Sequence, residues 1–324
     1  MEYYELSNFT FTNDTTLSTI RLAYKILNPK STKTALIPTC FRGRIDTTFT
    51  FNTGALKDYR VIVVALFGNG ESSSPSNTPN FPQTIDYRDC VRAQHALVTE
   101  HLGVESLDVV LGFSMGGQCA YYWTAMYPAM VRNAVMICSS AKTSLHNVQF
   151  LEGPKAALVN SADYVDGRFR VGDSIPLRGL HAFGTAYSAW LTSAEWFEQE
   201  LFRSQGYDGL DNWAAQVARK NYEDWHPDNL LAMLGMWQRG DIRVVTVSKS
   251  VEEVLSSLKT RILLMPSTTD QYFKVEASEK EGRHLVNGQV AAIPSVWGHL
   301  AGSGCNSEDN DWMDKRIEEF LENS

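Results

Sequence analysis

Four short apolar runs punctuate the first half of the chain: TALIPTC (Thr34 to Cys40), RVIVVALFG (Arg60 to Gly68), LDVVLGFS (Leu107 to Ser114) and VRNAVMICSSA (Val131 to Ala141). Each is nearly continuous in apolar residues, too short for a globular helix, and closed by turn formers. That pattern suits strands covered on both faces of a sheet. Between them lie helical stretches. In TIDYRDCVRAQHALVTEHLG, Val91, Leu97, Val98 and Leu102 recur at helical spacing, and Gly103 stands where a C-terminal cap belongs. GGQCAYYWTAMYP is helical again. Ahead of these, TLSTIRLAYKILN (Thr16 to Asn28) alternates as a half-buried strand does. Strand–helix–strand alternation predicts an α/β fold, a mostly parallel sheet with helices on both faces.

The rhythm breaks after Ala141 and returns with TRILLMPSTTD, the helical VEASEKEGRHLV, the strand GQVAAIPS and a last helix, DWMDKRIEEFLENS. The interval is rich in helix formers and holds Trp190, Trp196, Trp213, Trp225 and Trp237 of the chain's eight tryptophans. Its strongest strand candidate, Ile242 to Val247, is weak. The expected organisation is a core over 1–144, a helical lid over 145–255 and the rest of the core over 256–324. The tryptophans are expected to pack the lid more often than to line a pocket.

Gly112, Ser114 and Gly116 form G-x-S-x-G between an apolar strand and a helix, the context of a nucleophile elbow. A serine nucleophile needs a histidine base, and the base needs an orienting acid. In an α/β-hydrolase sheet the acid follows the next-to-last strand and the histidine follows the last. Those positions hold Asp270 and His299. Asp241 is the second candidate acid, whereas His95, His101, His181, His226 and His284 read as surface or packing residues. The oxyanion hole takes the Met115 amide, next to the serine, and one from the loop LIPTCFRGRI, where Phe41 is the expected donor. Arg42 and Arg44 on that loop could meet a substrate carboxylate or phosphate. Cys40 has no histidine partner in view and reads as packing.

The segment from Ile85 to Phe150 resembles the homoserine O-acetyltransferase family of α/β-hydrolases. The likeness lies in RDCVRAQ, the HLGV before the strand, GFSMGG, the YP ending the helix and the SAKTS loop. ADYVDGRFRVGDSIPLRGL (Ala162 to Leu180) resembles the start of that family's lid, and the similarity extends from about Leu36 to His299. It implies Ser114, Asp270 and His299 as the triad, the Phe41 and Met115 amides as the oxyanion hole, and a homodimer through the lid helices. The family's transferases carry an aspartate directly after the histidine, where it meets the substrate's amino group. Here that residue is Leu300, which cannot bind an ammonium. In place of their glycine-rich segment after the third strand, this chain reads LFGNGESSSPSNTP. The expectation is therefore a serine-dependent acyl enzyme acting on a small ester or thioester, as hydrolase or transferase, on a substrate other than homoserine. The alternatives are a true homoserine or serine O-acetyltransferase using acetyl-CoA, a cyclase or isomerase, and a non-catalytic binding protein on the same fold.

Charge and cysteines narrow the setting. The net charge is −8 and no run of Lys and Arg occurs, so no nucleic-acid partner is expected. The N-terminus has neither a basic start nor an apolar core, and no stretch approaches the roughly 20 apolar residues of a membrane span. Five scattered cysteines without a CxxC pair read as reduced thiols in a cytoplasmic protein. No metal or cofactor is expected, although an acyl-CoA could serve as substrate.

Overall fold

The structure is a computed structural model that describes residues 1–164, 175–246 and 250–322. Eight strands form one sheet: β1 (Glu2–Thr10), β2 (Thr16–Leu27), β3 (Lys33–Pro38), β4 (Tyr59–Val64), β5 (Leu107–Phe113), β6 (Val131–Ile137), β7 (Arg261–Met265) and β8 (Gly288–Val290). Their spatial order is β1-β2-β4-β3-β5-β6-β7-β8. β1 and β2 pair antiparallel, as do β2 and β4, and every later pairing is parallel. The fold is that of an α/β hydrolase, as the alternation of strand and helix predicts.

The apolar runs are continuous because both faces of the sheet are covered. Leu36, Ile62, Val64, Val110, Met136 and Leu264 enter one core, and Ala35, Ile37, Val63, Leu111, Val135 and Leu263 enter the other. Alternate side chains of a strand point to opposite faces, so neighbours in sequence serve different cores. The first core takes α1 (Tyr87–Ala96) and α2 (Met115–Met126), through Val91, Cys119 and Trp123. α1 begins where Asp86 accepts the Arg88 amide at 2.8 Å and Asp89 reaches back to the Asp86 amide at 3.0 Å. It ends in a π-helical turn over Leu97–His101, and Gly103 stops it at φ +64.

Between β6 and β7 lie α3 (Leu145–Val159), α4 (Leu177–Ser188), α5 (Ala194–Glu198), α6 (Leu210–Trp213), α7 (Pro227–Gln238) and α8 (Val251–Ser257). α9 (Val275–Gly282) connects β7 to β8, and α10 (Ser307–Glu322) closes the second core through Met313, Ile317 and Phe320. α3 starts at Leu145, while α8 crosses the expected boundary at Leu255. Trp196 and Trp213 enter the second core, and Trp237 the first. The inserted helices thus pack at both faces of the sheet. The part of the lid resemblance over 165–174 lies outside the described residues.

Three sequence readings change. β1 was not expected; it is an edge strand with mostly exposed side chains, so it lacks an apolar signal. The expected strand Ile242 to Val247 is a 3₁₀ helix over Ile242–Val245, with Asp241 accepting the Arg243 amide at 3.1 Å; Val247 lies outside the described residues. Both edges of β6 are already paired, with β5 and β7, so the sheet offers this segment no position there. The last strand is shorter than GQVAAIPS, although Ala291 N and Ile293 N still donate to Leu264 O and Pro266 O. No helix among the described residues is long and apolar enough to cross a membrane.

One half-buried carboxyl ties α9 to the rest. Glu281 accepts the Tyr121 hydroxyl of α2 at 2.6 Å and the Ala141 amide at 3.0 Å. Burial raises its pKa from 4.5 to about 7, against the lowering effect of these bonds. Between those values the folded chain holds a proton that the unfolded chain has released, so stability falls as pH rises through that window. The full cost above it is on the order of 3 kcal/mol. Glu281→Gln is expected to flatten this dependence: more stable than the unaltered chain at pH 8, similar at pH 5. Urea unfolding at the two pH values measures it.

Candidate active site

β5 leads into Ser114, whose backbone sits at φ 56 and ψ −122 before α2 begins. A residue with a Cβ pays roughly 1–3 kcal/mol for such a conformation, which persists only where the surroundings impose it. Here they do. A Cβ on Gly112 would lie 2.1 Å from the Gly116 carbonyl carbon, and one on Gly116 would lie 2.5 Å from Pro38 O of β3. One on Gly117 would lie 2.6 Å from the Ser139 Cβ. The glycine cluster is a set of close backbone approaches around one strained serine. The end of β6 fixes the turn from the side: Ser114 N donates to Ile137 O at 2.9 Å, and Ser139 Oγ donates to Ser114 O at 2.8 Å.

The chain brings Asp270 and His299 to this serine. Asp270 follows β7 and is buried, and its Oδ1 accepts the amides of Tyr272 at 2.7 Å and Phe273 at 3.2 Å. His299 lies in the 3₁₀ turn Gly298–Gly302. Gly298 has φ +59, and a Cβ there would lie 2.5 Å from the Thr192 carbonyl carbon, so only glycine lets the turn approach the inserted segment. Leu300 N donates to Leu191 O at 3.1 Å. His299 Nδ1 is 2.7 Å from Asp270 Oδ2, and Nε2 is 2.9 Å from Ser114 Oγ. A carboxylate only accepts, so the Nδ1 proton points at Asp270 and the Nε2 lone pair faces the serine hydroxyl. The rings of Phe113, Tyr272 and Phe273 stand 4.6, 4.5 and 5.6 Å from the imidazole, holding its plane.

Ser114 and His299 open on a cavity of about 250 Å³, whose walls include Phe41, Phe113, Leu191 and Leu300. Phe41 stands in the turn after β3, where Gly43 N donates to Cys40 O at 2.9 Å. Met115 is the first residue of α2, so its amide has no partner within the helix and shares the positive end of the helix dipole. Among the described residues, no tryptophan lines this cavity. Trp196 packs on Trp213 and Trp297, and Trp237 lies behind the site against Tyr272 and Phe273.

Arg42 borders the cavity, and its guanidinium contacts the inserted segment. It stacks over Tyr222 at 3.8 Å and donates to Asn221 O at 2.7 Å, both in the inserted segment. Leu300 lines the cavity beside His299, as an apolar wall. Asp241 pairs with Arg243 and Lys142 outside this cavity. His101 meets the Tyr24 hydroxyl, His181 meets Glu223, His95 stacks on Tyr127, and His226 caps α7. His284 borders a separate cleft. Cys40 also lines the Ser114 cavity, and burial pushes its thiol up to about 12, away from the nucleophilic thiolate form.

One neighbour escaped the sequence. Cys138, at φ 45 just after β6, is fully buried beside Asp270 and His299. Among the described residues its sulfur, Asp270 and His299 are the one group of donors close enough to share a metal, all within 4.8 Å of one another. Asp270 and His299 are already bonded to each other, and His299 to Ser114. Burial and then the Asp270 charge push the Cys138 thiol up. Its strand-end position looks like ordinary packing in the sequence, so nothing there flags it.

Comparisons with known proteins show the family. A family model described as the alpha/beta hydrolase fold matches residues 49–283. An ethyl acetate hydrolase of Pseudomonas veronii is 30% identical over 306 residues, 91% of this chain and 87% of that protein. A homoserine O-succinyltransferase of Neisseria meningitidis serogroup B is 36% identical over 232 residues, 67% of this chain and 58% of that protein. The crystal structure of the acetyl esterase MekB matches with a TM-score of 0.91 at 28% identity, covering 99% of this chain and 96% of that one.

Proposed function

The chain belongs to the α/β-hydrolase family and is one of its acyl-hydrolysing or acyl-transferring enzymes, and from that premise we propose that it hydrolyses short-chain esters, acetates foremost, of small uncharged alcohols. The observation that carries this reading is that the bonded Ser114–His299–Asp270 chain opens on a small cavity whose described lining contains no aspartate or glutamate. A drug-sized ligand takes a cavity of about 300–1,000 Å³, so about 250 Å³ suits a small ester. An amino-acid acceptor needs an anion for its ammonium, and Leu300 supplies none. The likeness to an ethyl acetate hydrolase and to an acetyl esterase supports the same substrate class.

In this reading Ser114 Oγ attacks the ester carbonyl carbon while His299 Nε2 takes its proton. Asp270 holds the imidazole and stabilises the imidazolium. The Phe41 and Met115 amides donate to the developing oxyanion; one such donor is worth roughly 3–4 kcal/mol. The imidazolium then protonates the leaving alcohol, and the acyl group stays on Ser114. Water attacks next, gives its proton to His299, and the acid departs as Ser114 regains its proton. No cofactor enters these steps.

A second reading rests on the likeness to a homoserine O-succinyltransferase: the same acyl-Ser114 passes its group to an alcohol acceptor, with an acyl-CoA as donor. One experiment separates the two. The p-nitrophenyl esters of acetate, butyrate and octanoate are compared, alongside CoA release from acetyl-CoA with and without L-homoserine. We expect kcat/KM to be highest for acetate and lower by 10-fold or more, roughly, for octanoate. We expect no response to homoserine. A flat or rising chain-length profile would sink the small-acyl reading, and homoserine-dependent CoA release would establish the transferase.

A further inference from the structure

We propose that Arg42 and Arg44 are positioning residues that lock the oxyanion loop to the helical insertion, so that the Phe41 amide is aimed only while the segment 221–225 is seated. This rests on the esterase reading above, in which Phe41 N–H is an oxyanion donor.

The loop from Thr39 to Ile45 is gripped from two sides. On the sheet side, Leu66 N donates to Thr39 Oγ1 at 3.1 Å, Asn69 Nδ2 donates to Gly43 O at 3.2 Å, and Ile45 N donates to Glu71 Oε2 at 2.9 Å. On the insertion side the two arginines make matching contacts. Arg42 stacks over Tyr222 at 3.8 Å and donates to Asn221 O at 2.7 Å. Arg44 stacks over Trp225 at 4.4 Å and donates to Asp224 O at 3.3 Å. Both aromatic partners are buried. The residue between the nearer clamp and the sheet is Phe41 itself, whose ring packs on Phe183, Tyr187 and Trp237 at 6.4, 5.5 and 5.9 Å, all from the insertion.

Arginine suits this task and lysine does not. A planar guanidinium lies flat on an aromatic face and still donates in its own plane to a backbone carbonyl, whereas an ammonium on a flexible stem does neither with fixed geometry. Arg42 also has φ +56, a left-handed conformation next to the donor residue, so the turn holds only while its contacts do. An oxyanion donor works by being preorganised, and displacements of about 1 Å cost up to about 100-fold in rate.

The test uses the full chain. Arg42→Lys and, from the other side of the clamp, Tyr222→Leu are assayed on p-nitrophenyl acetate, with thermal unfolding recorded for each. Affinity for an aryl trifluoromethyl ketone, which forms a tetrahedral oxyanion on Ser114, is the second readout. The expected result is kcat lowered about 10- to 100-fold with KM within about 2-fold, and trifluoromethyl ketone affinity lowered in parallel. The double variant should be little worse than either single one, because both break the same clamp. Should Arg42→Lys not fold, Arg44→Lys carries the same expectation. Folded variants with unaltered kcat would overturn the proposal, as would a rise in KM alone, which would return Arg42 to substrate binding. Unaltered protein that cleaves no ester would overturn the esterase reading itself, and is distinguished by the wild-type control.

Discussion

Ser114→Ala is expected to leave a folded protein whose turnover of short esters falls by roughly 10⁵-fold or more. The substitution removes one oxygen and keeps the Cβ, so the strained elbow and its glycine contacts stay as they are. His299 then has a lone pair with no proton to take, and no other described hydroxyl is bonded to it. p-Nitrophenol release measures the loss, and thermal unfolding checks the fold. A binding protein would show no turnover to lose, and a cyclase or isomerase working through His299 alone would keep its rate. Retained turnover in a folded Ser114→Ala chain would overturn the acyl-enzyme mechanism.

Asp270→Asn should cost about 10⁴-fold in kcat with little change in stability. The asparagine carbonyl oxygen can still accept the Tyr272 and Phe273 amides, as Asp270 Oδ1 does at 2.7 and 3.2 Å. Its NH₂ group then faces His299 Nδ1 and donates to it. That forces the imidazole proton onto Nε2, the atom that must accept from Ser114. The geometry survives and the tautomer is wrong. Steady-state kinetics at a pH near 8, with the unfolding midpoint as control, reads it. A fall of less than about 10-fold would remove Asp270 from the mechanism.

The sequence carries the site because a parallel sheet is a positioning device. Each strand of the type β5, β7 or β8 delivers the loop after it to one edge, so locating the strands locates Ser114, Asp270 and His299 by chain order. The glycines around Ser114 are legible for the same reason, as each marks a backbone that passes another at contact. What the sequence hides is contact between distant segments. Arg42 and Tyr222 are far apart in the chain, and each alone looks like an ordinary loop residue. Cys138 likewise becomes notable only when β6 and β7 lie side by side. β1 is hidden for a different reason: its exposed side chains carry no burial signal, and its partner β2 supplies the order. The segment at Ile242 looked like a strand by composition, but composition does not say whether a sheet edge is free.

β6 and β7 are hydrogen-bonded neighbours, with Asn133 opposite Arg261 and Ile137 opposite Met265. Residues 138 to 260 therefore leave and rejoin the sheet at adjacent strands. Joining two parallel neighbours needs only about a dozen residues, and each doubling of such a connection costs only about 0.6 kcal/mol in closure entropy. The length of this excursion is therefore only weakly constrained by the cost of closing it, while the strands on either side fix where it begins and ends. Exchange of the segment between its two neighbouring ends would replace Tyr187 and Leu191 of the cavity wall, together with the carbonyls and rings that hold Arg42 and Arg44, and leave the rest of the described lining in place.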